Sequence, residues 1–365
     1  TLGNSVDFGD LSAAKYYLQG VSSSTRGVVA GGYQESPGFT SSNVIEFITI
    51  ASTGDAVDFG DLYEARSLIA GTSDGTRGIF SGGAYTNTIQ YVNIASTGDA
   101  ADFGNLSQSR RNLAGCADKS RGLFQGGYTP SNVDTVDFVT IASTGNATDF
   151  GNLTESRSRT GGCNNPTRGI RAGGNPHTDT IDFCTIQSEG NYVDFGNLTA
   201  SRFGTAGMSS PTRGVFSGGE TPSSGVQGIN TMDFITIASL GDATDFGDMT
   251  ITRREPVATS NGVRGVFGTG YNSPSSPYGL TSELDYVQIA TLGNSTSFGD
   301  ASYDRVEVYS AFGNPVRGII GAGFSPSVEA GIDMLQYATQ GDTVDFGDLS
   351  QGRAGAGGFS NANGG

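Results

Sequence analysis

The sequence predicts an all-β fold, a seven-bladed β-propeller with four antiparallel strands per blade. Three observations carry this prediction: a repeat near fifty residues, strand-like stretches without helical periodicity, and insertions confined to one position of the repeat. The repeat is marked by the phrase Asp-Phe-Gly-Asp/Asn, with Ser297 replacing the first Asp in one copy. Its phenylalanines are Phe8, Phe59, Phe103, Phe150, Phe195, Phe246, Phe298 and Phe346, spaced by 51, 44, 47, 45, 51, 52 and 48 residues. A unit this short cannot bury its own apolar face and must stack on its neighbours.

Residues 62–103 serve as the type unit. A first apolar stretch runs from Arg66 to Gly71, and a turn leads to Arg77-Gly-Ile-Phe-Ser-Gly-Gly. The stretch from Ile89 to Ala95 is rich in β-branched and aromatic residues, and a Ser-Thr-Gly-Asp turn then precedes Asp-Phe103-Gly. Four strands separated by Gly, Asp, Asn and Ser turns follow from this pattern. The two central stretches are almost continuously apolar, as expected of strands covered on both faces. Between the Gly-Gly pair and the third strand, the connections at 33–44, 84–88, 128–135, 175–180, 220–231, 271–283 and 324–331 absorb nearly all the variation in period. Insertions at one repeat position emerge on one face, often the binding face.

Seven Arg-Gly/Gly-Gly units predict seven blades, while eight copies of the Phe phrase leave a spare outer strand. Residues 342–349 are expected to complete the seventh blade, with 1–11 a lead-in or a substitute for that strand. The propeller then spans 12–350 and a Gly-rich tail 351–365. Ring closure would remove the exposed edges of a linear stack. The chain starts at Thr1 on a partial repeat, and the expectation is a fragment or processed product of something longer.

Gly is 58 of 365 residues without a three-residue period, which points to tight turns. The net charge is −16, and fourteen of the 20 Lys and Arg residues are arginines at two repeat positions. The others are Lys15, Arg111, Lys119, Arg159, Arg171 and Arg254. There is no basic stripe for nucleic acid, and the overall field opposes phosphate and anionic lipid. No apolar run is long enough to insert in a membrane, and no signal peptide is visible. Cys116, Cys163 and Cys184 fall at apolar repeat positions and read as small buried residues rather than a disulfide framework.

The order Arg-x₃-Ala, strand ending in Gly-Gly, apolar strand with an acidic residue, then a fourth strand resembles the kelch repeat. The acidic position is filled by Glu46, Asp137, Asp182, Asp233, Asp285 and Asp333. The departure is the fourth strand, where kelch repeats carry Trp and this chain has Phe. More specifically, Ile-Ala-Ser-Thr-Gly-Asn-Ala-Thr-Asp-Phe-Gly-Asn-Leu-Thr at 141–154 resembles kelch-like proteins of marine tailed phages, particularly those of cyanobacteria. The likeness covers essentially the whole chain. It implies a virion component, as tail, fibre or capsid-attached propeller, with other virion proteins and host-surface glycans or proteins as partners.

Asp-Phe-Gly also occurs in protein kinases, but the other kinase motifs are missing. Instead Phe59, Phe103, Phe150, Phe195, Phe246, Phe298 and Phe346 are expected to fill gaps between blades, with the following Gly permitting a bulge. Arg26, Arg77, Arg121, Arg168, Arg213, Arg264 and Arg317 are expected to pair with the Glu46 series at blade contacts, since the arginine fork suits carboxylates or carbonyls. No loop has the alternating ligand pattern of a calcium site, and turn chemistry explains Asp and Asn before Gly. A lone His177 supports neither a histidine metal site nor a Ser-His-Asp triad. It also falls short of the histidines of kelch-type copper oxidases. The expectation is therefore a non-enzymatic protein without cofactor or metal. A glycan-cleaving enzyme using paired carboxylates and an intracellular docking adaptor remain as alternatives. Binding is expected on the variable-loop rim at Tyr33, Phe39, Tyr85, Tyr128, His177, Tyr271, Tyr278 and Phe324, where rings offer contact area at low entropy cost.

Overall fold

Each Phe phrase among the described residues forms a bulge. In the computed structural model, Gln90 faces Asp102 and Ile89 faces Gly104, so Phe103 is the extra residue of its strand. The same register shift brackets Phe59, Phe150, Phe195, Phe246 and Phe298. The Asp carboxylate folds back to accept from the Gly amide, as Asp102 does from Gly104 at 3.2 Å. Gly104 has φ +143, and a Cβ there would fall 2.3 Å from the Gly145 carbonyl oxygen of the next blade. That is why the phrase needs Gly. The structure describes residues 15–34, 40–52, 54–83, 86–224, 228–272, 279–306, 310–321, 324–325, 327–339 and 344–353.

The described residues contain strands and no helix, arranged as seven antiparallel blades in a ring, a seven-bladed β-propeller. Blade 1 comprises Gln19–Ser22, Arg26–Ala30, Val44–Thr49 and Val57–Asp61, from the axis outward. Blade 4 comprises Gly161–Asn164, Arg168–Ala172, Thr178–Thr185 and Val193–Arg202. Blade 7 comprises Ser310–Gly313, Arg317–Gly321, Ser327–Gln336 and Val344–Arg353, so its outer strand comes from the C-terminal copy and runs to Arg353. The N-terminal copy, with Phe8, lies outside the described residues, as does 354–365. The first apolar stretch of each unit starts its strand late. In blade 2 the strand begins at Ala70 rather than Arg66, because Leu68 turns to φ 58 and breaks the extended chain.

The core is a ring of seams rather than a single centre. Each apolar cluster joins two consecutive blades: Val21, Val28 and Phe59 of blade 1 meet Phe80, Val92 and Ile94 of blade 2. Leu18, Val29 and Ile48 of blade 1 meet Phe312, Ile319 and Met334 of blade 7, which closes the ring. Each Phe of the phrase whose side chain is described is buried in such a seam. Six of them stand edge-on to a third-strand aromatic, as Phe103 does to Tyr91 at 5.8 Å. The side chain of Phe346 lies outside the described residues.

Two arginine series lock the seams, and their roles differ from the expected pairing. The Arg77 series does not take the acidic series. Its guanidinium donates to a backbone carbonyl of the following blade: Arg77 to Ile141, Arg121 to Ile186, Arg168 to Ile237, Arg213 to Ile289, and Arg264 to Tyr337. Arg26 reaches Ile94 and Ala95, and Arg317 reaches Ile50 at 2.9 Å, so seven latches complete the circle. Six of these guanidinium groups also lie over the third-strand aromatic of their own blade, at 4.5–4.9 Å.

Five of the six acids pair instead with the other series, as Arg110–Asp137 (2.7 Å), Arg157–Asp182, Arg202–Asp233 (2.7 Å), Arg253–Asp285 (3.0 Å) and Arg305–Asp333. These arginines sit on the segments that enter each blade, and both partners are essentially fully buried. The physical reason is depth: a carboxylate at the seam centre needs a cation that is equally buried, whereas the Arg77 series lies half-exposed near the rim. Asp233 also accepts from the Thr199 amide and hydroxyl, tying the outer strand of blade 4 to blade 5. In blade 2 the acid is replaced by Gln90, and Arg66 pairs with Glu64 at 3.0 Å.

Candidate functional site

The connections of variable length leave the blades on the face where each chain segment enters the next blade. Their first residues bridge to that entry segment, pairing Arg111 with Tyr128, Ser158 with Asn175, Phe203 with Glu220 and Arg254 with Tyr271. Tyr128 lies under the Arg111 guanidinium at 5.3 Å and Tyr271 under Arg254 at 4.2 Å. His177 stacks edge-on against Phe203 at 4.9 Å and has Glu220 3.9 Å away. Tyr33 is half-buried in a short hairpin with 40–41. These rings are therefore anchored by one side while still partly open. Phe39, Tyr85 and Tyr278 lie outside the described residues; Phe324 is in a strand, but its side chain is not described.

At the centre of this face the axial channel opens. Its mouth is a hoop of equivalent residues with left-handed backbone: Tyr17, Leu68, Asn112, Arg159 and Glu255 have φ of 51–58°, and Gly204 fills the same place at 66°. Side chains other than Gly rarely adopt this conformation, which costs about 1 kcal/mol or more each. The return is a set of amide bonds from blade to blade: Leu68 donates to Tyr17, Asn112 to Leu68, Gly204 to Arg159 and Glu255 to Gly204. No sequence rule marks these positions, because the strain is imposed by closure of the ring.

Below the mouth, inner strands from all seven blades line a stretch of about 300 Å³, with adjoining spaces of about 390 and 200 Å³. One seam differs from its neighbours. Arg171 occupies the core position that is Val29, Phe80, Phe124, Phe216, Phe267 or Ile320 in the other blades. It is 6% exposed. Its Nε donates to Gln125 and its Nη2 to the Gly115 carbonyl at 2.9 Å, both in blade 3. Gln125, at a position otherwise filled by Ala, Ser or Gly, donates in turn to the Cys116 sulfur at 2.7 Å.

Around them lie Cys163, Cys184 and Tyr192, all buried. Burial pushes the Cys163 thiol up to about 12, with Arg171 pulling the other way. Burial likewise raises Cys184 to about 12. The Tyr192 phenol is also pushed up by burial, and further by Cys116 and Cys184 beside it. These thiols are protonated and inert at neutral pH. At the mouth, Glu255 is raised by burial, against the pull of Arg159 at 3.5 Å and of Arg254. Sequence reasoning counted Arg171 among the leftover cations. Aligning it on its repeat position, where the other residues are apolar, is the signal that exposes it.

No protein-family model and no curated protein matches the sequence. Among solved structures, the chain is similar to a fungal alcohol oxidase of the AA5 family in complex with copper. That likeness has a TM-score of 0.64 and 13% identity, and covers 90% of this chain and 73% of the other. At this identity it speaks for the fold alone. It nevertheless overturns the expectation of a non-enzymatic protein, because an oxidase uses a propeller that aligns along nearly the whole chain. The copper itself finds no matching donor set here. The chain has a single histidine, and among the described residues no three His, Cys, Asp or Glu side chains gather as metal ligands.

Proposed function

We propose that this propeller is a virion component of a tailed phage, as tail, fibre or capsid-attached ring, and that its variable-loop face binds a host-surface glycan or protein. The observation that supports this most is the asymmetry of the ring. Blade architecture and latches repeat with little change, while length variation collects on one face and half-buried aromatic residues stand at the loop bases. A rigid scaffold with variable loops on one side is the usual arrangement of a binding surface. The resemblance of the repeat wording to that of phage kelch-like proteins is the ground for the virion setting in this reading. Without Trp, each aromatic contact is modest, so affinity would come from several copies acting together.

The experiment shortens 220–231 and 271–283 to the five-residue form of 84–88, leaving the blades intact. The expected result is a folded ring with about tenfold or greater loss of binding to host cells or to its particle. A folded, shortened ring that binds as tightly as the parent would end this reading. Incubation of the parent with host polysaccharide, followed by analysis for released oligosaccharide, tests catalysis on the same face.

A further inference from the structure

The seam between blades 3 and 4 holds a buried cation with no carboxylate. Neither Arg171 bond goes to an acid, and no ion pair to it occurs among the described residues. In other seams the inner strands touch directly: a Cβ on Gly207 would lie 2.0 Å from the Gly162 carbonyl, and one on Gly115 would lie 2.2 Å from that of Gly71. At this seam the corresponding Cβ on Gly162 would instead meet Arg171 Nη1. The guanidinium is therefore a wedge between two inner strands. Its hydrogen bonds to described residues leave from Nε and Nη2 and none from Nη1, and Arg171 lines two of the three channel spaces.

A buried guanidinium normally recruits an anion, because leaving it uncompensated in a poorly solvated place is costly. Replacing Phe by Arg in one blade of seven gives up apolar packing, so a packing role does not account for it. The surroundings favour an oxyanion too. Arg159 lines the same 300 Å³ stretch, Arg111 lines the adjoining mouth with it, and the acid facing them is Glu255. Basic side chains thus gather at the axis of a chain whose net charge is −16. The remaining wall is mostly Gly and Ala with Leu113, Pro256 and Val257, into which Gln19, Thr160 and Thr205 bring uncharged polar side chains, and the Thr205 hydroxyl has no partner. Those three side chains suit hydroxyl groups, and the small residues between them leave room for a ring. A volume near 300 Å³ is at the small end of ligand pockets and takes a single sugar ring.

We infer that the channel at the seam of blades 3 and 4 is a binding site for a hydroxylated carboxylate of monosaccharide size, such as a uronic acid. The carboxylate meets Arg171 Nη1, Arg159 approaches from the mouth, and the ring hydroxyls face Gln19 and the threonines. This site does not depend on the variable loops, so the loop-shortened ring keeps it.

Calorimetric titration of the full chain with glucuronate, glucose and inorganic phosphate tests the assignment. One glucuronate per chain is expected, with no binding of glucose and phosphate a weak competitor. Arg171→Phe restores the residue of four other blades, so the variant should fold with an unchanged or higher melting temperature. Its glucuronate affinity should fall by about tenfold or more, the loss expected for a charged hydrogen bond. Arg159→Gln, at the open mouth, should weaken binding several-fold and serves if Arg171→Phe does not fold. The inference is overturned if the parent does not bind glucuronate, if a folded Arg171→Phe or Arg159→Gln binds it unchanged, or if phosphate competes on equal terms.

Discussion

The seam between blades 4 and 5 and the seam between blades 3 and 4 are built from the same repeat, yet they solve different problems. At the first, Phe216 fills the core, Gly207 lies against the Gly162 carbonyl, and Arg202 pairs with Asp233. At the second, the outer parts are the same: Arg157 pairs with Asp182, and Arg121 reaches the Ile186 carbonyl. Only the inner part changes, where Arg171 and Gln125 replace apolar or small residues and part the strands. A repeat protein can therefore specialise one seam without losing the ring, provided the outer locks are kept. Stability resides in the repeated contacts and individuality in the departures from them.

The comparison breaks hardest at the shared locks. Asp233→Ala removes one partner of a fully buried pair and strands Arg202, with loss of about 3–5 kcal/mol. Denaturant unfolding measures it, and a loss below 1 kcal/mol would show that the pair is not what holds the regular seam. A smaller effect separates the two seams directly. Gly207→Ala drives a methyl into backbone and should cost about 1–3 kcal/mol, whereas Gly162→Ala meets the end of a flexible side chain and should cost less. Equal costs would mean that the wedge is as rigid as the backbone contact.

The smallest effect concerns Glu255 at the channel mouth. Its folded carboxyl is raised above the ordinary 4.5 by burial, so its contribution to stability is fully present below that value and is lost as pH rises through the folded value. Glu255→Gln should therefore raise the melting temperature by a degree or so at neutral pH relative to the parent and give no such gain near pH 4. A gain confined to acid pH would reverse the sign and show that Arg159 and Arg254 outweigh burial.

Much of this was legible in the residues. The seven Arg-Gly/Gly-Gly units set the blade count, the Gly after Phe announced a bulge, and the uneven spacing located the variable face. The Arg77 series was legible as a blade contact but not in its partner. A side chain that can serve a carboxylate or a carbonyl equally well has its choice made by depth, and depth depends on the neighbouring blade. Tyr128 and Tyr271 lie on the variable-loop face, but their stacking under Arg111 and Arg254 depends on bridges between segments 17 residues apart in both cases. The left-handed hoop had no local sign at all: Tyr, Leu, Asn, Arg, Gly and Glu share no side-chain property that predicts it.

The sequence by itself determined the unit, because a bulge, an Asp-capped turn and an apolar strand are decided within a few residues. It also determined that units must stack, since none can cover its own apolar face. Only the tertiary structure decided how the ring closes, which cation meets which acid, and where the channel is charged. Those outcomes depend on the angle and spacing between blades, which is a property of seven units meeting in a circle and is written in none of them.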